Sequence, residues 1–535
     1  MLKARGISLI LLVCYFLIAI EGCTPGEGPP AAFGVQASTA AESINDSSES
    51  EDFYAIAGLN KTGDMESDRN QCQIISVRVL AAPAGNPLAR QLAVFTDSPC
   101  SITGYVWSDE LSGYGVSQAG VSPGVREYRL WFYGLAEDMY FKYTIRLTDR
   151  PQIELGRGKF FVPALPVGTP RPVYVGNTGW ADDSLWVVMF FPMTANAGSN
   201  SGVLMMLDRE GRLRFYHHTP AVQVGAGPSY SALTRMSDGS LVIDDTQNVY
   251  SINQIGAEKL IFAPQLNDPF LFPMHHQSYI ADDLSRAWLL FNSIGSGTEC
   301  DGVTPADNVV GDGVAEIDTT GKEVWRWSAF DHQDKIPPNA TDPEECAWLG
   351  GFWGPDTVDW THGNSVYKIP NENAFLLSLR NASRIVKIDR DTGEIVWQMG
   401  EGLDFSWEDR APDQEWWFHF QHDAQQLPNG NIILFDNQFH YYNGLWSRAM
   451  ELEVDEQNMQ IELVWEYFVP FTIAHGSVER LDNGNTLIST GNSLSIFEAS
   501  PDGWTIWWAN LPTNVGIPTL AKALVYPALW NMDGE

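Results

Sequence analysis

From about Arg171 onward the sequence repeats itself with a period of roughly 40–60 residues, the range of solenoids and propellers. Each copy opens on a small residue or a histidine, passes a turn of the Pro-Asn-Gly-Asn kind, and runs through an apolar strand. It then ends in a strand pair whose clearest form is Ile-Asp, a short turn and G-x-x-x-W. The clearest copy is HGNSVYKIPNENAFLLSLR with IVKIDRDTGEIVWQMG. The pairs HHQSYIADDLSRAWLLF with VAEIDTTGKEVWRW, HDAQQLPNGNIILFDN with AMELEVDEQNMQIELVWEY, HGSVERLDNGNTLIST with LSIFEASPDGWTIWW, and SALTRMSDGSLVI with VYSINQIGAEKLIF follow the same plan. A leading copy, SLWVVMFFP with GVLMMLDREGRLRFY, makes six. A unit of four short strands cannot bury both its faces and must stack on neighbours, so residues 167–535 are expected to form a six-bladed β-propeller. Trp325, Trp397, Trp465 and Trp507 recur at the ends of successive units, where aromatic side chains pack one blade on the next.

The preceding stretch differs. Residues 71–166 hold short alternating runs such as CQIISVRVL, RQLAVFTD, SITGYVW and YFKYTIRLTD between turns rich in Pro, Gly and Ser, the pattern of a small β-sandwich. The fold class is therefore all-β, a sandwich followed by a propeller. Residues 24–70 are rich in Gly, Pro, Ser and acids, too poor in large apolar side chains to offset their ordering entropy, and read as an acidic tether. Residues 1–23 begin with Lys3 and Arg5, run apolar from Ile7 to Ile20 and end in small residues, the pattern of a signal peptide. Its end, Ile20-Glu21-Gly22-Cys23, resembles a lipobox in which Cys23 would carry a lipid anchor; plain secretory cleavage nearby is the alternative. No second apolar run approaches the length of a membrane span.

Cysteine usage agrees with export. With Cys14 lost in the signal and Cys23 set aside, Cys72, Cys100, Cys300 and Cys346 form an even set for an oxidising compartment. Cys72 with Cys100 and Cys300 with Cys346 is the expected pairing of the three connectivities, because each pair falls inside one domain. The region 300–357 is longer than the repeat requires and is expected to rim one mouth of the channel. The net charge of −35 excludes nucleic acid as a partner. It reads as a solvated acidic coat, with an acidic calcium site as the alternative; no motif carries calcium or any other cofactor.

Chemistry concentrates at the openings of the repeats. His275 and His276, His362, His422 and His475 stand at nearly equivalent positions where innermost strands begin, in a chain with ten histidines in all. Their side chains can therefore converge on a central channel. Asn364 and Arg380 lie in the same opening half of one copy. An imidazole cluster suggests zinc, but no carboxylate or thiolate companion stands out, and Arg380 would set a fixed charge beside the metal. Arginine instead suits a sulfate or phosphate oxyanion, and a neutral imidazole is a competent nucleophile. The set reads as a transferase or hydrolase for an oxyanion ester, with Trp360, Trp416, Trp417 and Phe418 as candidate clamps for an aromatic ring.

The stretches WTHGNSVYKIP, LLSLRN, IVKIDRDTGEIVWQMG and FQHDAQQLPNGNIILFDN, with NPLARQLAVFTDSP nearer the N-terminus, resemble the bacterial arylsulfate sulfotransferases. The resemblance covers most of residues 75–510. It implies an exported enzyme, a six-bladed propeller after a small sandwich, that moves a sulfuryl group from a phenolic sulfate donor to a phenol acceptor without a nucleotide sulfate donor. By resemblance His422 becomes sulfated, His362, Asn364 and Arg380 grip the transferred group, and the remaining histidine is His276 when H-Q is aligned with H-D, or His275 with one more residue before the turn. His475 lines the channel in the last copy. The mechanism implied is ping-pong. Competing readings are a sulfatase-like relative, a quinone-dependent propeller dehydrogenase, which leaves the histidine openings unexplained, and a noncatalytic ligand-binding propeller on the cell surface.

Overall fold

Our computed structural model describes residues 72–120, 124–196, 199–219, 222–223, 233–244, 247–266, 274–299, 301–337, 357–408, 417–437, 446–512 and 519–529. The signal segment, Cys23, the tether, Cys300, Cys346 and Trp416 lie outside the described residues. Those described are organised almost wholly as antiparallel strands. Among them no helix is long and apolar enough to cross a membrane.

The first part forms two sheets. Strands Ile74–Leu80, Arg90–Thr96 and Glu127–Phe132 make one, and Gly115–Ala119, Ile102–Trp107, Met139–Leu147 and Glu154–Val162 the other. Alternate residues such as Tyr128, Leu130 and Phe132 are buried while Glu127 and Arg129 face outward, the period of two of a half-buried strand. The expected disulfide joins Cys72 to Cys100. The apolar core of these sheets runs without a break into Trp186, Phe190 and Leu204 of the repeats. Backbone contact fastens the two parts as well: a Cβ at Gly85 would lie 2.1 Å from the carbonyl oxygen of Gly256, and one at Gly256 2.0 Å from that of Gly85. Only glycine lets two main chains approach this closely.

Six antiparallel sheets follow, five of them built from consecutive strands that run from innermost to outermost. Their innermost strands are Leu233–Arg235, Tyr279–Ile280, Gly363–Lys368, His422–Gln426 and Ser477–Arg480. The leading sheet departs from the repeat: Leu185–Asn196, Ser199–Leu207 and Leu213–His218 are local, but the innermost strand is Lys522–Pro527 from the far end of the chain. Tyr174–Asn177 in turn pairs with Thr505–Asn510 as an extra outer strand of the last sheet. The excess length near residue 300 is partly a hairpin: Arg286–Thr298 and Pro305–Asp318 extend to 13 and 14 residues and carry it past its sheet. The acidic turns are used internally, as where Asp318 Oδ1 accepts from Thr320 N at 2.8 Å and from Thr320 Oγ1 at 2.6 Å.

The recurrent tryptophans join one sheet to the next. Trp325 lies 5.4 Å from Phe375 of the following sheet, Trp465 carries the guanidinium of Arg480 at 5.4 Å, and Trp397 is buried in a core shared with Ile432 and Leu434. Trp507 joins the last sheet to the first: its indole N–H donates to Arg209 O at 2.7 Å, while Arg209 Nη1 meets Glu498 at 2.8 Å with both side chains at 1% exposure or less. Removing one partner of such a pair strands a buried charge at a cost of about 3–5 kcal/mol. Glu498→Gln is therefore expected to lower the unfolding free energy from urea titration by an amount in that range; a loss under about 1 kcal/mol would show that the pair does not hold the two sheets together.

Candidate active site

The histidine-bearing openings of the inner strands each hold a residue in the left-handed region, where the chain reverses. His276, His362 and His475 have φ of 52°, 47° and 58°, and in the fifth sheet Phe420 and Asp423 have 55° and 54°. Non-glycine residues at positive φ persist only where surroundings over-determine them, and they cluster at functional sites. Here the surroundings are hydrogen bonds. The carbonyl of His362 accepts from Arg380 N at 3.1 Å, Asn381 Nδ2 donates to Asp359 O at 2.8 Å, and Asn437 Nδ2 donates to Thr472 O at 2.9 Å and His475 O at 3.0 Å.

These reversals surround a small cavity lined by His276, Gln277, Asn364, His422, Asp423, His475, Gly476 and Lys522, among others. The rings converge: His276 lies 5.0 Å from His362 and 6.0 Å from His475, and His475 lies 6.1 Å from His422. His422 is held by Nδ1, which faces two acceptors, Phe420 O at 3.0 Å and Asn437 Oδ1 at 2.8 Å. The ring proton must therefore be on Nδ1. Nε2 then carries the lone pair and accepts from the backbone N–H of His475 at 3.2 Å. Burial, reinforced by the guanidinium of Arg380, pushes His422 well below its ordinary pKa. Burial and the charges of His362 and the other imidazoles push His276 down as well, and burial takes His475 to about 4.

The other expected residues are placed as follows. His362 is fixed through Nδ1, 2.7 Å from Asp359 Oδ2. Arg380 is buried, stacked 4.8 Å over the Phe420 ring and bonded from Nη1 to Asn381 Oδ1 at 2.8 Å and from Nη2 to Ile473 O at 3.1 Å. Asn364 donates from Nδ2 to Gln421 O at 2.7 Å. His276 lines the cavity, whereas His275 sits behind it, its Nδ1 2.9 Å from Nδ1 of His276 and its Nε2 3.0 Å from Asp312 Oδ1. Trp360 is not a wall of this cavity: it is fully buried against Phe330 at 5.2 Å, because the residue before the reversal points into the layer between strands. Trp417 and Phe418 likewise belong to an apolar core, Trp417 packing on Trp407 at 5.5 Å.

One side of the cavity ends at a polar layer that sequence reasoning did not anticipate. Lys522 donates to Tyr367 Oη at 2.7 Å and to Asp423 Oδ1 at 3.0 Å, and Asp423 Oδ2 accepts from Val478 N at 2.9 Å. Burial alone would pull the Lys522 ammonium down, but Asp423 and Tyr367 outweigh it and hold the lysine above its usual range. A second hollow also borders Lys522 and Gln277, and its lining draws on the innermost strands of all six sheets: Arg235, Tyr279, Tyr367, Gln425, Glu479 and Leu524 each come from a different one.

The sequence profile of the arylsulfotransferase (ASST) family matches residues 177–506. The chain belongs to the arylsulfotransferase family. The matched span carries every histidine named above, with Arg380 and Asn437. No curated protein matches the chain. Among solved structures it is similar to a protein of unknown function from Bacteroides caccae, at 10% identity over 64% of this chain and 100% of that one with a TM-score of 0.38. It is also similar to the virginiamycin B lyase of Staphylococcus aureus in a catalytically inactive form, at 9% identity over 66% and 99% of the two chains with a TM-score of 0.31. Likenesses this distant bear on no part of the chemistry.

Four polar residues of the site escaped the sequence reading: Asn437, Asp312, Asp423 and Lys522. A repeated signal pointed to the first. Asn381, Asn437 and Asn492 each follow the second strand of their sheet and Asn292 lies within its own, and each bonds within or beside a histidine-bearing reversal or its Asp312 support. Titration follows from the burial. Above its pKa an imidazole is neutral, so depressing the pKa extends the neutral form to lower pH. In a ¹⁵N-histidine NMR titration His475 is expected to protonate near pH 4 and His422 below 6.5; a midpoint at or above 6.5 for His422 would contradict the site as described.

Proposed function

We propose that this member of the family is an arylsulfate sulfotransferase, exported, independent of a nucleotide sulfate donor, and working by a ping-pong mechanism through a sulfohistidine at His422. The six sheets act as blades of one closed propeller behind a β-sandwich spanning 71–166, and the signal segment and the Cys72–Cys100 disulfide support a reaction outside the cytoplasm. The observation that carries the reading is the state of His422: buried, held in one tautomer by Asn437 and Phe420, and kept neutral where its lone pair meets the cavity.

In the first half-reaction His422 Nε2 attacks sulfur of the aryl sulfate. The S–O bond to the ring breaks, and its electron pair leaves on the phenolate oxygen. In the second, an acceptor phenol oxygen attacks the same sulfur, the N–S bond breaks and its pair returns to Nε2. Sulfur approaching Nε2 displaces the long contact from His475 N, and that N–H is then placed to donate to a sulfuryl oxygen, as oxyanion-hole donors do. Arg380 supplies the fixed positive charge nearby, and His362, anchored by Asp359, presents its other ring nitrogen to the reaction. An imidazole, His276 or His362, handles the phenolic proton. No cofactor is needed for these steps.

The test is a chromogenic aryl sulfate incubated with and without a phenol acceptor. Acceptor-dependent release of the chromogen is expected, falling by about 10⁴-fold or more in His422→Ala and by about 10²–10³-fold in Arg380→Ala, as when a preorganised charge is removed. Release that needs no acceptor would make the protein a hydrolase. Release that survives in His422→Ala would remove the sulfohistidine from the mechanism.

A further inference from the structure

We propose that the outward face of the second sandwich sheet docks on an anionic phospholipid bilayer and holds the first folded part of the chain against the membrane. The proposal is independent of the sulfotransferase reading.

The argument starts from charge. The whole chain carries 32 basic against 67 acidic residues, yet residues 71–166 hold nine basic against eight acidic, so this is the part an anion can approach. Register shows where the basic residues go. One side of the sheet is apolar and buried, with Phe141, Tyr143 and Phe160. On the other side Tyr140 stands opposite Phe161, Lys142 opposite Lys159 and Thr144 opposite Arg157. Tyr105 flanks Thr144 on the neighbouring strand, and Arg146 follows one step further along. Alternate residues of a strand are about 7 Å apart, so four cations and several rings share one pleated surface.

These side chains face water. Tyr140 is 61% and Phe161 42% exposed, with ring centroids 4.9 Å apart. Lys159 Nζ lies 5.2 Å over the Tyr140 ring and the Arg146 guanidinium 5.6 Å over that of Tyr105. Two acids border the face: Asp109 meets Lys142 at 2.6 Å, and Glu154 meets Arg157 at 2.6 Å. Both pairs are solvent-exposed, and exposed pairs hold their partners weakly enough to yield them to a phosphate.

Rings and long cationic side chains on one surface match the bilayer interface, where aromatic groups sit at headgroup level and ammonium and guanidinium groups reach the phosphates. The order of the chain agrees. The tether of residues 24–70 leads from Cys23, the candidate lipid anchor, directly into this sandwich. About 47 flexible residues span about 40 Å on average. A single acyl chain binds a bilayer only marginally, and a basic patch is a second signal that makes attachment stable. The acidic remainder of the chain does not oppose docking, because repulsion is screened beyond about 8 Å at physiological salt.

The test is cosedimentation of the mature chain, produced from Thr24 and so without an acyl group, with vesicles of phosphatidylglycerol and phosphatidylcholine in equal parts or of phosphatidylcholine alone. Binding is expected to the mixed vesicles only, and to weaken as salt rises. Lys142→Gln with Lys159→Gln is expected to weaken it about 25-fold, about fivefold for each cation lost. Tyr140→Ala with Phe161→Ala is expected to weaken binding while leaving its salt dependence unchanged. Unaltered thermal unfolding shows that each exposed variant is folded. No binding to the mixed vesicles, equal binding to both compositions, or binding that survives the lysine substitutions overturns the proposal. Retention on immobilised dextran sulfate without vesicle binding would also overturn it, and would assign the face to an acidic polysaccharide.

Discussion

The pairing of Lys522–Pro527 with Leu185–Phe190 is the contact on which the site depends. A sheet of three strands with an open inner edge would leave backbone donors and acceptors facing the channel, and an open edge is both unsatisfied and prone to wrong partners. The C-terminal strand fills that edge and ties the end of the chain to its first repeat. The outer strand Tyr174–Asn177 does the reverse, covering the last sheet with residues that precede the first. Between them the Arg209–Glu498 pair is buried where first and last sheets meet. The same inner strand delivers Lys522, so the polar layer beside the histidines exists only when this pairing has formed.

A second constraint concerns charge. Several imidazoles converge within ring distances of 5.0–6.1 Å, and a cluster of imidazolium ions at that spacing would repel itself strongly. Burial resolves the conflict by keeping His276, His422 and His475 neutral at working pH. Positive charge is confined to groups with dedicated partners: Arg380 over Phe420 and against Asn381, Lys522 against Asp423. Two carboxylates stand behind the imidazoles instead of in the cavity, Asp359 on His362 and Asp312 on His275. The backbone strain of the reversals is offset by the asparagines that bridge them.

Much of this was legible in the sequence because the repeat is physical. The Asp-turn-G-x-x-x-W segments became paired outer strands, and the tryptophans became contacts between sheets, since a strand period of two and a turn rich in Asp and Gly leave few alternatives. The histidine openings were legible because five imidazoles at equivalent strand starts have to share a neighbourhood. What escaped lies in distance along the chain. Lys522 follows His422 by a whole sheet and reaches the cavity only through pairing with the strand at Leu185–Phe190, which no local pattern encodes. Asp312 sits mid-strand in a run reading GDGVAEID, where nothing local separates a support for a neighbouring sheet from an ordinary turn acid. Trp360 was misread for the opposite reason: adjacency to His362 suggested the cavity, but the reversal at His362 turns consecutive side chains to different layers.

The central claim is that the sulfuryl group passes through Nε2 of His422, and it is tested most directly by trapping it there. The enzyme would be mixed with a ³⁵S-labelled aryl sulfate in the absence of acceptor, quenched in alkali, digested and analysed by mass spectrometry. The account predicts close to one label per active site, on the peptide containing His422, and its discharge when a phenol is added. Acceptor-dependent turnover with label on another histidine, or with no label at any stage, would contradict it.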